Sequence, residues 1–297
     1  MVSRHPQVRN MPSRRFRTRF RASHPFRYGH AEHTRRHPVP AYSEDCGVLR
    51  KRKVILISGG TSGIGLATAR ILLGKGAGVV INGRDVAKGR AALSHLQSLP
   101  GSCQFVPGDV SDERACCRIV QETLHHFGRL DGLVTSAGYY EEQLLENVAA
   151  RDVESLFATN VYGTIYLCRE ALEPLKKNQG SIVMVSSDAG LQGNIGCSVY
   201  SATKGAVVSF CKSLALELAP HDVRVNCVCP GDVKTPLLSR QMEANPDETE
   251  ESLRQQYPLY RLAEASEVGQ VIVFLLSREA SYMTATAVPV DGGLTSW

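Results

Sequence analysis

The sequence predicts an α/β fold with a doubly wound parallel sheet, and three observations support this. From residue 53 onward, short β-branched runs alternate with longer amphipathic stretches, a pattern typical of right-handed βαβ units. The first run leads directly into a glycine-rich loop over residues 58–65. A later helical stretch carries Tyr200 and Lys204 four residues apart. In such folds the ligand site lies at the carboxyl ends of the strands.

Six short apolar runs are predicted to be buried strands. They cover residues 54–57, 78–81, 103–106, 132–134, 181–185 and 223–228. Strands buried on both faces of a parallel sheet are expected to be almost continuously apolar, as these are. Between them, apolar side chains recur at helical spacing, as Ile64, Ala67 and Ile71 do. Residues 50–297 are therefore predicted to form one Rossmann-like domain.

Residues 1–43 form an Arg-rich extension with almost no aliphatic side chains. Such a segment buries too little apolar area to offset the entropy of ordering, so it is predicted to be disordered. Its acid-poor composition is also typical of an organellar transit peptide. We expect the protein to be cytoplasmic, or to lie in an organelle matrix if residues 1–43 are a transit peptide. An extension without a role is the other interpretation.

The net charge of +5 belongs to this extension and not to the body. Ten of the 34 basic and one of the 29 acidic side chains lie in residues 1–43, which leaves 24 basic and 28 acidic ones elsewhere. A mildly acidic body is not suited to a phosphate backbone, so no nucleic-acid partner is expected for it. The sequence contains no run of about 18 apolar residues, which is the length that a helix needs to span a bilayer. The nine cysteines lack zinc-site spacing, and no metal is predicted.

The glycine-rich loop Ser58-Gly59-Gly60-Thr61-Ser62-Gly63-Ile64-Gly65 joins the first strand to the first helix. Glycine lets the backbone turn tightly and approach a pyrophosphate, and the free N–H groups at a helix start face the anion. The spacing is G-x-x-x-G-x-G rather than G-x-G-x-x-G. Because the loop follows the first strand of a βαβ series, it predicts dinucleotide binding.

The end of the second strand indicates which dinucleotide is bound. An acidic side chain about 20 residues after the glycines would bond the ribose 2′-hydroxyl of NAD. This chain has Asn82-Gly83-Arg84-Asp85 there. The Arg84 guanidinium is suited to a 2′-phosphate, so NADP(H) is favoured. Asp85, one residue later, leaves NAD(H) open.

Tyr200 and Lys204 are the strongest candidates for proton transfer. An i,i+4 pair shares one face of a helix, so the phenol and the ammonium group reach the same pocket. A nearby cation stabilises a phenolate and brings its proton affinity toward the working pH. Ser187 follows the fifth strand and precedes Tyr200 by thirteen residues. These residues predict an enzyme that interconverts an alcohol and a carbonyl compound.

In order and spacing, these features resemble the short-chain dehydrogenase/reductase family over about residues 50–293. The matching positions are Gly59-x3-Gly63-Ile64-Gly65, Asp109-Val110, Ala137-Gly138, Asn160, Ser187, Tyr200-x3-Lys204, Pro230-Gly231, Thr235 and Val290-Asp291-Gly292-Gly293.

The resemblance implies a role for each catalytic position. Tyr200 would be the general acid in reduction and the base in oxidation, and Ser187 would hydrogen-bond the substrate oxygen. Lys204 would hold the nicotinamide ribose, and Asn160 would complete a proton relay through water. The expected cofactor contacts are Gly59, Thr61, Ser62, Gly63, Ile64, Gly65, Arg84, Asp109, Val110, Ala137, Gly138, Tyr200, Lys204, Pro230, Gly231, Val233 and Thr235.

Two positions depart from the family pattern. Thr135-Ser136 replaces the Asn-Asn pair that usually precedes Ala-Gly after the fourth strand, which puts in doubt the backbone support that those amides give. Position 62, where many NADP-preferring relatives carry a second basic residue, is Ser. The assignment of NADP(H) therefore depends mainly on Arg84.

A polar stretch over about residues 234–262 is expected to close over the substrate as a lid. The candidate pocket residues are Tyr139, Tyr140, Leu191, Gln192, Asn194 and Tyr257, although each would equally suit loop or lid packing. A mixed aromatic and polar lining suits hydroxysteroids, 3-oxoacyl thioesters, cyclic alcohols or sugars, and does not choose among them.

Two other classes of function stay open. One is a dinucleotide-binding regulatory or scaffold protein that lost turnover, against which the intact set Asn160, Ser187, Tyr200 and Lys204 argues. The other is a nucleic-acid-associated protein acting through residues 1–43. The resemblance also implies a homotetramer, with residues 112–127, residues 151–177 and the C-terminal strand at the interfaces.

Overall fold

The computed structural model describes residues 53–245 and 249–297. The predicted disorder and targeting role of residues 1–43 fall outside this part of the chain, as does the segment 246–248 of the predicted lid.

Seven strands form one parallel sheet in the order β3-β2-β1-β4-β5-β6-β9, and β7 and β8 form a separate parallel pair. This order confirms the doubly wound, Rossmann-like class. The strands are β1 Val54–Ser58, β2 Gly78–Gly83, β3 Ser102–Pro107, β4 Gly132–Thr135, β5 Ser181–Val185, β6 Arg224–Pro230, β7 Val233–Lys234, β8 Ala263–Glu264 and β9 Ala287–Val290.

Helices cover both faces of the large sheet. They are α1 Gly63–Gly74, α2 Val86–Leu96, α3 Glu113–Phe127, α4 Ala150–Phe157, α5 Gly163–Asn178, α6 Ser198–Leu218, α7 Pro236–Ala244, α8 Glu250–Arg254 and α9 Ala265–Leu276. Within the described part of the chain, no helix is both long and apolar enough to cross a membrane.

Local chemistry explains where several helices begin and end. The Asp85 carboxylate accepts a hydrogen bond from the Lys88 backbone N–H and caps the start of α2, as short polar side chains do at free helix N–H groups. Asp112 caps α3 in the same way through the N–H of Arg114. At the other end of α3, Gly128 adopts a φ of 69°, a left-handed conformation that glycine reaches without strain.

The core has two layers, one on each face of the sheet. Side chains alternate along a strand, so Leu56 packs against α3, α5 and α6, whereas Ile55 and Ile57 pack against α1, α2 and α9. All five residues of β1 are buried. The centre of the sheet is therefore a rigid support for the loops at its carboxyl edge.

The seventh strand of the sheet, β9, did not stand out among the apolar runs and was expected only from the family resemblance. Its sequence, Ala-Val-Pro-Val, is short and contains a proline, which is tolerated at a sheet edge. Buried polar groups attach the segment before β9 to β6. The Asn226 side chain donates to the Met283 carbonyl and accepts from the Thr286 N–H, at 2.8 and 3.2 Å.

Candidate active site

Tyr200 and Lys204 lie on one face of α6, and both are buried. The Lys204 ammonium donates a hydrogen bond to the Val185 carbonyl oxygen at the end of β5, 3.1 Å away. Its nitrogen is 5.5 Å from the centre of the Tyr200 ring. The structure therefore brings together the two groups that the sequence predicts to share a pocket.

Ser187 follows β5 and lies at the same place. Its hydroxyl donates to the Asp188 carboxylate at 2.7 Å and accepts from the Ala189 N–H at 3.2 Å. A hydrogen bond also joins it to Tyr200. The neighbouring Ser186 hydroxyl, by contrast, donates to the Lys204 carbonyl oxygen at 2.8 Å and so holds α6 against the loop after β5.

Asn160 lies in a π-helical turn, Ala158–Tyr162, between α4 and α5, and such turns are frequent at functional sites. Its side chain forms hydrogen bonds with both backbone groups of Tyr139, accepting from the N–H at 2.8 Å and donating to the carbonyl at 2.9 Å. It also donates to the Thr203 hydroxyl at 3.0 Å. Asn160 thus ties the loop after β4 to α6, while its part in a proton relay stays a prediction.

Burial controls the protonation of the central pair. Burial raises the pKa of Tyr200, the hydrogen bond with Ser187 acts in the lowering direction, and nearby carboxylates such as that of Asp188 raise the pKa further. Burial is the largest of these effects, so the net direction is opposite to the lowering that the sequence predicts. Burial lowers the pKa of Lys204 to about 8, against which the Cys227 and Cys229 thiols act in the raising direction.

An aromatic contact fixes the Tyr200 ring. Tyr140 packs against it edge to face, with ring centres 4.8 Å apart, a favourable arrangement for aromatic pairs. A small pocket opens beside Tyr200. Gln143 lines this pocket, and its Oε1 is buried without a hydrogen-bond partner in the described part of the chain. An unpaired buried acceptor favours a ligand that donates a hydrogen bond.

The glycine-rich loop fits a dinucleotide. A Cβ at Gly59, where φ is 65°, would come within 2.7 Å of the Ala137 nitrogen, and one at Gly65 would overlap the Gly59 carbonyl. Ser62 begins α1 without a side-chain cap, so the first N–H groups of the helix are available to an anion. The compact loop and the uncapped helix start are what a pyrophosphate requires.

The residues expected at the adenine end also lie together. Arg84 and Asp109 form an ion pair at 3.5 Å, in which the Arg84 side chain is 68% exposed. Thr61 packs against Gly83 at the end of β2, because a Cβ at Gly83 would come within 2.7 Å of the Thr61 methyl. An exposed ion pair is weak, so Arg84 is available to a phosphate.

Two expected cofactor contacts are buried in the core. Val110 packs into the layer beneath α3 and α5, and Val233 packs into the layer of α1 and α9. Their side chains are 4% and 6% exposed, so a cofactor would reach them mainly through their backbone groups.

The nicotinamide end is bounded by the segment after β6. A Cβ at Gly63 would lie 3.2 Å from the Thr235 methyl, so the start of the lid touches the cofactor loop. Gly231 follows Pro230, and a Cβ there would lie 2.8 Å from the ring of Tyr257. The Tyr257 hydroxyl accepts a hydrogen bond from the Asp232 N–H at 2.7 Å. Tyr257 thus packs against the backbone of residues 231–232 and supports it, rather than lining an open pocket.

The departure at Thr135-Ser136 has a visible consequence. The Thr135 hydroxyl is buried and has no hydrogen-bond partner in the described part of the chain. The support of the loop comes instead from Ser58, whose hydroxyl accepts from the Ala137 N–H at 3.3 Å. Gly138 leads this backbone past Lys204, because a Cβ there would lie 3.7 Å from the Lys204 nitrogen.

The candidate pocket residues separate into three pairs. Gln192 and Asn194 both donate to the Asp188 carboxylate, at 3.4 and 3.1 Å. Tyr139 and Leu191 are 38% and 40% exposed and lie at the rim. Tyr140 packs against Tyr200, whereas Tyr257 supports the backbone after β6.

Three buried polar residues near the site were not predicted from the sequence to support it. Asp188 could have been found from its position next to Ser187, and Ser58 from its place at the end of the first strand. Asn82 lies at the end of β2, where its amide donates to the carbonyl oxygens of Val106 and Gly108 at 3.0 and 3.1 Å. Its partners lie on a neighbouring strand, so no local pattern indicates this role.

Comparisons with known proteins show the family. The family model described as enoyl-(acyl carrier protein) reductase matches residues 59–295. L-fucose dehydrogenase of Mus musculus is 41% identical over 246 residues, which are 81% of this chain and 88% of that protein. The 3-oxoacyl-[acyl-carrier-protein] reductase of Bos taurus is 39% identical over 245 residues, 82% of this chain and 98% of that protein.

Among solved structures, the one described as ElxO with NADP bound has a TM-score of 0.78 and 32% sequence identity to this chain. The similarity covers 83% of this chain and 100% of that one.

Proposed function

Because this chain belongs to the short-chain dehydrogenase/reductase family and is thus an oxidoreductase, we propose that it interconverts a secondary alcohol and a ketone with NADP(H). The observation that carries the proposal is the convergence of Ser187, Tyr200 and Lys204 at the end of β5. Proton transfer requires a donor and its supporting groups within hydrogen-bond reach of one substrate oxygen.

Tyr200 is the general acid in reduction and the general base in oxidation. Because burial raises its pKa, the phenol carries its proton at neutral pH and is ready to donate it to the oxygen of a ketone. When bound, the nicotinamide supplies the hydride in reduction and accepts it in oxidation. In oxidation, Tyr200 takes the proton that the alcohol oxygen releases, so one proton and one hydride move in each direction.

Lys204 supplies positive charge beside Tyr200. The ammonium is fixed by the Val185 carbonyl, and the Gly138 backbone passes close to it. In the bound state we expect Lys204 to hold the nicotinamide ribose and to stabilise the Tyr200 phenolate that forms during reduction. Ser187 positions the substrate oxygen between them.

NADP(H) is favoured over NAD(H) because no acid ends β2 and Arg84 lies exposed beside Asp109. The solved relative with NADP bound supports this choice. Asp85 is engaged as the cap of α2, which makes it a poor partner for a ribose 2′-hydroxyl.

The remaining expectations stay proposals. We infer a homo-oligomer, with the tetramer as the expected form, and Tyr162, 47% exposed on the helix expected at an interface, supports an apolar contact there. Residues 234–262 act as the substrate lid. A cytoplasmic or organelle-matrix location depends on the role of residues 1–43.

The proposal is tested by a screen of nicotinamide absorbance with purified protein, using NADPH and NADH separately against hydroxysteroid ketones, 3-oxoacyl thioesters, cyclic ketones and sugars. We expect oxidation of NADPH by at least one class, faster than oxidation of NADH. Binding of NADPH without turnover of any class would instead favour the catalytically silent regulatory protein. Deletion of residues 1–43 in the same assay should leave turnover unchanged.

A further inference from the structure

Asp188 places a buried carboxylate next to the reacting groups. It directly follows Ser187, and the residue is 8% exposed. Asp188 forms no ion pair with any residue in the described part of the chain. A carboxylate removed from water without a cation requires hydrogen-bond donors in compensation.

Three neutral groups supply donors to this carboxylate. Ser187 donates to Oδ1 at 2.7 Å, and Asn194 and Gln192 donate to Oδ2 at 3.1 and 3.4 Å. A carboxylate accepts about four hydrogen bonds, so Asp188 has capacity for one more. The contact with Gln192 is long, and a stronger donor on a ligand would replace it readily.

The Ser187 hydroxyl donates to Asp188. A serine hydroxyl has one proton, and at 2.7 Å this proton points to the Asp188 Oδ1. A substrate oxygen that takes this proton leaves Asp188 Oδ1 free to accept from another donor. Gln143, whose buried Oε1 has no partner in the described residues, offers another acceptor beside Tyr200. Such a site is complementary to a ligand that brings several donors of its own.

Building on the proposed function, we propose that Asp188 determines substrate specificity by accepting a hydrogen bond from a donor group on the carbon next to the carbinol carbon. The substrate oxygen has to reach Ser187 and Tyr200 together, and Asp188 Oδ1 is 2.7 Å from the Ser187 hydroxyl. A substituent one carbon away is therefore within its reach. The substrate class is a vicinal diol, as in a cyclic sugar, or the corresponding amino alcohol.

The test compares matched substrates with the full-length protein and NADP⁺. These are cyclohexanol, the cis and trans isomers of 1,2-cyclohexanediol, and 2-aminocyclohexanol, which differ only at the neighbouring carbon. A hydrogen bond to a charged group contributes about 1.5–3 kcal/mol. We expect kcat/KM for at least one diol or amino alcohol to exceed that for cyclohexanol about 10- to 100-fold. The better of the two substituents identifies hydroxyl or ammonium as the natural donor.

Two substitutions assign this preference to Asp188. Asp188→Leu removes the acceptor, and Asp188→Asn keeps the shape but removes the charge, which provides a folded variant if the leucine protein is unstable. In both variants, we expect the ratio of kcat/KM for the preferred diol or amino alcohol to kcat/KM for cyclohexanol to fall about tenfold or more. The matched control is Asp222→Asn on an exposed turn with a φ of 56°, a conformation that asparagine tolerates well. This control should keep the wild-type preference.

The proposal is overturned by any of three results. The first is an equal kcat/KM for the diols, the amino alcohol and cyclohexanol in the wild type. The second is that neither the diols nor the amino alcohol are turned over or bind to the cofactor complex. The third is that Asp188→Asn keeps the wild-type ratio of kcat/KM between diol or amino alcohol and cyclohexanol. A failure of the proposed function differs from all of these. It would appear as a protein that does not bind NADP(H), or as full turnover in Tyr200→Phe.

Discussion

Lys204 donates a hydrogen bond to the carbonyl oxygen of Val185, the last residue of β5, at 3.1 Å. This bond holds a buried cation at the end of the strand that leads to Ser187. The cation has no carboxylate partner in the described residues, and burial lowers its pKa to about 8 from an ordinary value of 10.5. The charge that serves catalysis therefore opposes folding.

Replacing Lys204 with Met should stabilise the protein and abolish turnover. The folded-state pKa lies below the unfolded one, so the full cost of the buried charge applies below about pH 8 and disappears as pH rises toward 10.5. A shift of this size corresponds to roughly 3 kcal/mol, less about 1 kcal/mol for the lost hydrogen bond. We expect the free energy of unfolding at pH 7, measured in urea, to rise by about 2 kcal/mol. A less stable Lys204→Met protein would contradict this account.

The same group should shape the pH dependence of ketone reduction. As pH rises through about 8, Lys204 loses its proton and with it the charge that stabilises the Tyr200 phenolate. The value of kcat/KM should therefore fall along one limb with an apparent pKa near 8. In Lys204→Arg the charge persists at all accessible pH, so any residual activity should lack this limb. The same limb in the arginine variant would assign it to another group.

Tyr200→Phe should reduce turnover about 1,000-fold or more while leaving NADPH affinity within about twofold. Only the phenolic hydroxyl is removed, and the ring keeps its edge-to-face contact with Tyr140. Stopped-flow assays and cofactor fluorescence measure the two quantities separately. A near-normal rate would remove Tyr200 from the mechanism.

Arg84→Ala should weaken NADPH binding about 10- to 100-fold and NADH binding less than about threefold, because a charged hydrogen bond to the 2′-phosphate is lost. The ion pair with Asp109 is exposed and contributes little to stability. Arg90→Ala, an exposed position on the neighbouring helix, is the matched control. Calorimetric titration of both cofactors checks the result, and equal losses for the two would favour NAD(H).

Gly65→Ala should destabilise the protein by about 2 kcal/mol and prevent tight NADPH binding. Its Cβ would overlap the Gly59 carbonyl, and neither backbone segment is free to move without opening the loop. Gly74→Ala is the control, since a Cβ there has no neighbour within 4 Å, and alanine favours a helix by about 1 kcal/mol. Thermal unfolding with and without NADPH separates the two variants.

The sequence predicted the central sheet because six of its strands are short, largely apolar runs, and such runs are recognised without information on long-range contacts. β9 and the β7–β8 pair were less accessible. Two-residue strands such as Val233–Lys234 form no periodic pattern, and β9 depends on side-chain contacts from β6. The position of such strands is determined by contacts with the surrounding elements rather than by a pattern in their own residues.

The catalytic residues were predictable from their places after β5 and along α6, where spacing alone determines proximity. The direction of the Tyr200 pKa was not predictable, because burial raises it and burial depends on the packing of elements distant in the sequence. Asp188 was also overlooked. Its burial and its donors Gln192 and Asn194 follow from a loop conformation that no periodicity encodes.

The attachment of β9 to β6 has a consequence for synthesis on the ribosome. β6 leads to Gly231 at the nicotinamide end, and in the part of the chain that the structure describes its outer edge pairs with residues 284–290. Until these residues emerge from the exit tunnel, β6 is an open edge that other strands are able to pair with. The nascent chain therefore depends on β9 for protection from misassembly, and chaperone binding should be strongest just before β9 appears.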